Sequence, residues 1–158
     1  NINGRRVFKN AATYGVPECP QIAVMRVDGP LFFASVENVE QQFRKADARS
    51  AVPKTKLMGL KGLWKIDLSG AGLLLKEIRR ARKSGADFHI FTTNAPALLI
   101  LKRLHVFQEL GSDNLHNNKG EAIAAAVAAA DDDICSGCTL RVFMECANKP
   151  GGPEVERP

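Results

Sequence analysis

Hydrophobic and polar positions change period several times along the chain, and each change marks an element. Ile22 to Val27 is a compact run with β-branched residues and reads as a strand. Asp28-Gly29-Pro30 stops it and Leu31-Phe32-Phe33 resumes it, so two short strands in a hairpin-like pair are expected. Beyond Ser35, an expected N-cap, Val36, Val39, Phe43 and Ala46 step by three and four, the spacing of an amphipathic helix, with Glu37 and Glu40 near its positive end. Lys56 to Leu60 is the next strand, and Leu63 to Ile66 leads into Asp67-Leu68-Ser69-Gly70, where a helix starts that runs to about Gly85. Its apolar side is Ala71, Leu74, Ile78 and Ala81. Phe88 to Phe91 forms a fourth strand, and Asn94 and Pro96 open a helix whose buried stripe is Ala97, Ile100, Leu101 and Leu104, closed by Gly111. Asn117-Asn118-Lys119 precedes an alanine-rich helix ending at Asp131-Asp132-Asp133, where three carboxylates oppose the negative end of the dipole.

The predicted order, ββαβαβαα, separates strands by single helices, which argues for a mainly parallel sheet in an α/β domain. Three parts follow: a linker or edge segment over residues 1–20, the domain over 21–132, and a cysteine-containing extension over 133–158. A chain of 158 residues, 45% hydrophobic, builds one proper core. Its longest apolar runs, Ala97 to Leu101 and Ala122 to Ala130, fall short of the ~20 residues that span a bilayer. Asn1 opens the sequence without an initiator Met or a secretory signal, so a fragment of a longer polypeptide is expected.

Charge adds a second layer. Lys and Arg outnumber Asp and Glu by 22 to 17, a formal +5, a mild bias towards acidic partners. Aromatics make up only 6%, too few for the stacking rings of a single-strand nucleic-acid groove, and no nucleic-acid partner is expected. Lys76, Arg79, Arg80 and Lys83 recur at i, i+3, i+4 and i+7 on the polar side of the second helix, offset only by Glu77. This face is expected either to dock an acidic cytosolic protein or an anionic lipid surface, or simply to be solvated. On the docking reading, reversing Arg79 and Arg80 together leaves the thermal midpoint nearly unchanged.

The four cysteines are too sparse for a disulfide scaffold. Cys135 and Cys138, spaced Cys-x-x-Cys, with Cys146 can offer three thiolates to one tetrahedral ion such as a structural zinc, with Cys19 or a histidine as a fourth ligand. Free thiols packed as small hydrophobes and a redox pair are the alternatives. His89, His105 and His116 show no ligand spacing, and His89 is expected to be structural. Leu140, Val142 and Met144 alternate with polar and aromatic neighbours, suggesting an extra strand or a short helix. No nucleophile elbow, phosphate loop, zinc-protease motif or dinucleotide fingerprint occurs, so no enzyme and no cofactor is inferred.

Val27-Asp28-Gly29-Pro30-Leu31-Phe32-Phe33-Ala34 followed by a helix, and then Ile66-Asp67-Leu68-Ser69-Gly70-Ala71 opening another, resembles a STAS domain, most closely the C-terminal cytosolic domain of SulP-family inorganic anion transporters of the sulfate type. The likeness covers roughly Gln21 to Ala130. It departs from the family at Gly59 and Lys61, which stand before Gly62 where family members often carry Asp and Ser. The resemblance implies the SpoIIAA-like STAS fold, with helices largely on one face of the sheet. It also implies a non-catalytic regulatory or assembly role at the cytoplasmic face of the inner membrane, joined to the transmembrane domain of the same polypeptide, with pairing of two such domains open. The transported ion would be sulfate, bicarbonate or a related anion. Asp67, Leu68, Ser69 and Gly70 form the expected partner-binding loop, with Gly70 and Gly72 allowing close backbone approach. The alternative is a free-standing anti-sigma-factor antagonist, in which the serine matching Ser69 is phosphorylated. A helix N-terminus suits an added phosphate, whereas ordinary capping by Ser69 needs no modification.

Overall fold

The computed structural model describes residues 17–151. Four strands form one sheet in the order β1 (Ile22–Asp28), β2 (Thr55–Gly62), β3 (Phe88–Phe91) and β4 (Leu115–His116), and every adjacent pair is parallel. Parallel neighbours need a crossover, and each one here is helical. α1 (Phe33–Ala48) joins β1 to β2, α2 (Leu68–Lys83) joins β2 to β3, and α3 (Ala95–Arg103) with α4 (Val106–Leu110) joins β3 to β4. α5 (Lys119–Ala128), the short α6 (Asp132–Ser136) and a 3-10 turn at Met144–Asn148 follow.

Side chains alternate across the sheet, so its two faces build two cores. Met58, Leu60, Phe88 and Ile90 pack under α1 to α4 with Phe43, Leu74, Ile78 and Leu101. Ile22 and Leu57 face the other way and meet Ala122, Ile123, Ala126 and Val127 of α5. The expected α/β sheet with most helices on one face is present, and α5 is the element that closes the second face. Small alanines on α5 let that helix lie close to the sheet. The extension is fastened there too: Phe143 packs on the second core, and Lys149 Nζ donates to the carbonyls of Ala128 and Ala130 at 3.0 and 2.8 Å and pairs with Asp132. Those bonds occupy carbonyls that the end of α5 leaves without intrahelical partners.

Several expectations need correction. Leu31-Phe32-Phe33 does not fold back as a hairpin strand. Gly29 N donates to Gly62 O at 3.0 Å and Leu31 N to Lys65 O at 2.8 Å, so the segment continues in parallel beside β2 through a single bridge of Leu31 to Ile66, and Phe33 already opens α1. Ser35 is therefore not the N-cap; it lies in the first turn, where its hydroxyl accepts from Phe32 N at 3.0 Å. The helix starting at Asn94 breaks at His105, whose left-handed backbone (φ 60°) turns the chain so that Val106 and Leu110 of α4 are buried. Asp131 does not merely end α5: its carboxylate caps α6 by accepting from Asp133 N at 2.8 Å. Residues 140–146 form no strand, and β4, only two residues long, escapes any periodicity reading.

Phe43 and Phe88 hold the first face together, fully buried with ring centroids 5.9 Å apart and planes tilted by 54°. Phe43→Ala removes both the ring burial and this edge contact, and is expected to cost about 3–5 kcal/mol of unfolding free energy. Urea titration followed by circular dichroism checks it, through a lower midpoint at an unchanged slope.

Candidate functional site

The C-terminal ends of β1 and β2 are tied to the beginnings of α1 and α2 by one carboxylate. Asp67, with an extended backbone, is the N-cap of α2: its Oδ1 accepts from Gly70 N at 2.9 Å. Its Oδ2 accepts from Phe33 N, the first residue of α1, at 3.2 Å. Two helix starts with unpaired N–H groups thus share one acceptor. The bond from Gly70, with smaller contributions from the N–H groups of Phe33 and Ser69, holds the Asp67 carboxyl below its usual value of 3.8. Asp67 N in turn donates to Leu31 O at 3.2 Å. A Cβ on Gly70 would fall onto that same Leu31 carbonyl and within 2.9 Å of Ile66 Cγ1, so α2 approaches the β1–α1 connection as closely as only glycine permits. Gly72 faces open space, so only Gly70 is required by close approach.

Ser69 is a first-turn residue, and the capping role expected for it belongs to Asp67, because a carboxylate at the preceding extended position already accepts the N–H bonds. Around this rigid turn the surface is apolar. Phe33 is 80% exposed, Leu68 78% and Trp64 65%, all on the segments that these hydrogen bonds bind together. Aromatic and leucine side chains left this open on a fixed backbone make this turn the candidate binding surface. Sequence reasoning found Leu68 through the loop but missed Phe33 and Trp64. Phe33 had been assigned to a strand, and Trp64, the chain's one tryptophan in a segment too short for any period, was the available signal.

The cationic face of α2 is largely consumed inside the fold. Lys76 pairs with Glu40 at 2.6 Å and Arg79 with Glu109 at 2.7 Å, bridging α2 to α1 and α4. Arg80 reaches Asp47 at 2.6 Å and Glu77 at 2.8 Å, and Asp47 also accepts the buried Lys56 Nζ at 2.9 Å. Glu77, expected on the polar side, is only 1% exposed, and its Oε1 has no partner. Arg80 is therefore the counter-ion of a buried carboxylate, and the expectation that reversing it spares stability is corrected. Lys83, in the last turn of α2, stays exposed.

The cysteines converge near the N-terminal end of β1. Cys135 Sγ accepts from Gln21 Nε2 at 3.4 Å, and Cys19 packs on the second core. Burial pushes the Cys19 thiol up, and the nearby Cys146 and Cys138 add to the rise by charge repulsion. All four are free thiols. Among the described residues no three His, Cys, Asp or Glu side chains come together in a group that could hold a metal ion. Cys135 is turned to Gln21, while Arg141 fixes the turn at Cys146 by donating to its carbonyl at 3.0 Å.

Two outcomes are expected from this geometry. Gly70→Ala should lower stability by about 1–3 kcal/mol, because backbone and not a flexible side chain stands in the way. Asp67→Ala should lower the thermal midpoint at neutral pH and flatten its acid dependence. The lowered carboxyl contributes stability that is fully present above pH 3.8 and lost as pH falls through its folded value, and a thermal melt series read down to pH 2.5 shows whether the variant lacks that limb. For the charged face, Arg80→Met strands Glu77 and is expected to cost on the order of 2–3 kcal/mol, whereas Lys83→Glu should leave the melting curve in place.

Comparison with known proteins agrees with this architecture. The profile of the STAS domain family matches residues 13–122. The structure of the SulP transporter STAS domain from Vibrio cholerae is similar at 24% identity and TM-score 0.57, over 74% of this chain and 90% of that one. The murine Solute Carrier 26 family member A9 anion transporter in its inward-facing state matches with TM-score 0.67 and 19% identity, over 81% of this chain but only 21% of its own. The anti-sigma factor antagonist SpoIIAA in its unphosphorylated form matches with TM-score 0.55 and 21% identity, over 72% and 94%. No curated protein matches the chain, and no helix among the described residues is long and apolar enough to cross a membrane. With the family profile covering more than half its length, a four-stranded parallel sheet of the SpoIIAA-like fold and the Asp67 turn at its helix starts, the chain belongs to the STAS domain family.

Proposed function

We propose that this chain is the cytosolic STAS domain of a SulP-type anion transporter, a non-catalytic module that regulates transport by docking on the transmembrane domain of its own polypeptide at the cytoplasmic face of the membrane. The observation that carries the reading is the exposure of Phe33, Trp64 and Leu68 around a turn whose backbone is pinned by Asp67 and Gly70. A preformed apolar surface binds without ordering cost, and three large side chains of this kind supply the anchors of an interface. The Val27-to-Ala34 motif and the presence of the same fold as a fifth of an anion transporter's length support the choice of partner. The cationic face of α2 is a weaker candidate, since three of its four charges already have intramolecular partners.

The antagonist reading has one observation in its favour: Asp67 does the capping, which leaves the Ser69 hydroxyl uncommitted to that role. The same carboxylate opposes it, because a phosphate on Ser69 would sit beside a negative charge that already holds the helix N-terminus.

The test uses the full reading frame. On the proposed reading, codons upstream of Asn1 encode about a dozen apolar spans. In that protein, Phe33→Ser with Trp64→Ser and Leu68→Ser should cut sulfate-type anion uptake at least about fivefold, roughly 1 kcal/mol of coupling. The same changes in the 158-residue chain should leave its melting curve in place. Undiminished uptake, or a start codon in place of the spans together with kinase-dependent mass gain at Ser69, rejects the proposal.

A further inference from the structure

On the second face of the sheet, away from the docking turn, two imidazoles meet. His89 Nδ1 and His116 Nε2 are 2.9 Å apart, and the rings stack with centroids 5.2 Å apart and planes 25° from parallel. His89 lies on β3 and is only 5% exposed, and His116 is the last residue of β4. A contact of this length needs one N–H and one lone pair. Two neutral rings satisfy it, as does a pair sharing one extra proton. Two imidazolium rings do not: each then directs an N–H and a positive charge at the other, and His89 is buried away from the water that would screen them.

We propose that the His89–His116 pair is an acid-sensitive latch that holds β4 and the beginning of α5 on the sheet, and that it opens when both rings are protonated. β4 is only two residues long, and of these Leu115 packs on the first core while His116 faces the second. Beyond its pairing with Ile90 and Phe91, it is tied by Thr92 N donating to His116 O at 3.0 Å and by Asn114 Nδ2 donating to Phe88 O at 3.0 Å. α5 follows two residues later, capped by Asn118, whose side chain accepts from Glu121 N at 2.9 Å. Release of the latch therefore loosens the start of the helix that shields Ile22 and Leu57 through Ala122 and Ile123, while Lys149 still holds its far end.

Charged groups around the pair do not cancel this behaviour. Asp87, immediately before β3, favours a proton on His89, while Arg82 on α2 and His116 itself disfavour it; Glu121 on α5 favours one on His116. Lys119, at the head of α5, stands 5.9 Å over the Phe91 ring. Lys56 on β2 pairs with Asp47 across the opposite face. Burial is the largest influence on both rings and pushes both below the ordinary value of 6.5. Since the folded values are lowered, the stability they contribute is complete above pH 6.5 and is lost as the pH falls through them. With at most two protons taken up, the open fraction of this segment rises by up to about a hundredfold per pH unit.

Hydrogen–deuterium exchange of the whole chain at pH 7.5, 6.5 and 5.5, corrected for the intrinsic pH dependence of exchange, tests this directly. Peptides covering Leu115 to Ala128 should lose protection steeply towards pH 5.5 while those of α2 keep theirs, and His116→Gln, which cannot charge, should remove most of that difference. Uniform loss across both regions, or an equal slope in the variant, overturns the latch. If the variant does not fold, a ring-proton titration of the unaltered protein by NMR decides: a second protonation of the pair below pH 6.5 that coincides with the loss of protection over Leu115 to Ala128 supports the proposal, and loss of protection at a pH where that second proton is not taken up rejects it. The outcome is independent of whether Phe33, Trp64 and Leu68 bind a membrane domain.

Discussion

One carboxylate organises the end of this domain where α1 and α2 begin. Asp67 accepts from the first N–H of α1 and from Gly70 in α2, so the positions of both helices relative to β1 and β2 are coupled through a single side chain. The arrangement works only because Gly70 lacks a Cβ and lets the start of α2 close on the Leu31 carbonyl. Loss of either partner loosens the other. A surface built on such a joint is presented with little freedom, and that rigidity suits exposed Phe33, Trp64 and Leu68 to the anchoring role proposed for them.

Charge plays a different part from the one its surplus suggests. The basic residues of α2 bind carboxylates on α1, on α4 and within α2 itself, and Asp47 gathers Arg80 and the buried Lys56 into one network with Glu77. Buried ions of this kind add little net stability but penalise every arrangement in which one of them loses its partner. The network therefore sets how α1 and α2 sit on the first face of the sheet. The exposed apolar side chains at the Asp67 turn lie outside this network.

The two faces of the sheet differ in how firmly they are closed. The first carries four helices and an aromatic pair at its centre. The second depends on one alanine-rich helix, a two-residue strand and a stacked pair of histidines. Small side chains give close approach but bury little area each, so the hydrogen-bonded imidazoles contribute a larger share there than they would in the first core. On the proposed latch, a domain with one rigid face and one proton-sensitive face has a physical route by which acidity reaches a partner.

Local pattern was enough for the elements that carry their own period or cap. The Ile22 strand, the Val36-Val39-Phe43 helix, the Ala71-Leu74-Ile78 stripe, the helix start at Asn94 and the alanine-rich helix after Lys119 were legible because spacing and capping chemistry act within a few residues. The Val27-to-Ala34 and Ile66-to-Ala71 motifs likewise carried the family. What depended on partners distant in sequence was not legible. Leu31 joins β2's continuation because its N–H finds Lys65, Asp67 displaces Ser69 as the cap while also holding Phe33, and Glu77 turns inward because Arg80 and Asp47 close over it. Leu68 shares a helical face with Ala71, yet it is exposed at the first residue of α2. Periodicity tells which side of an element is apolar, but which apolar residue is covered, and which charge is paired, is decided only when the sheet brings separate segments together.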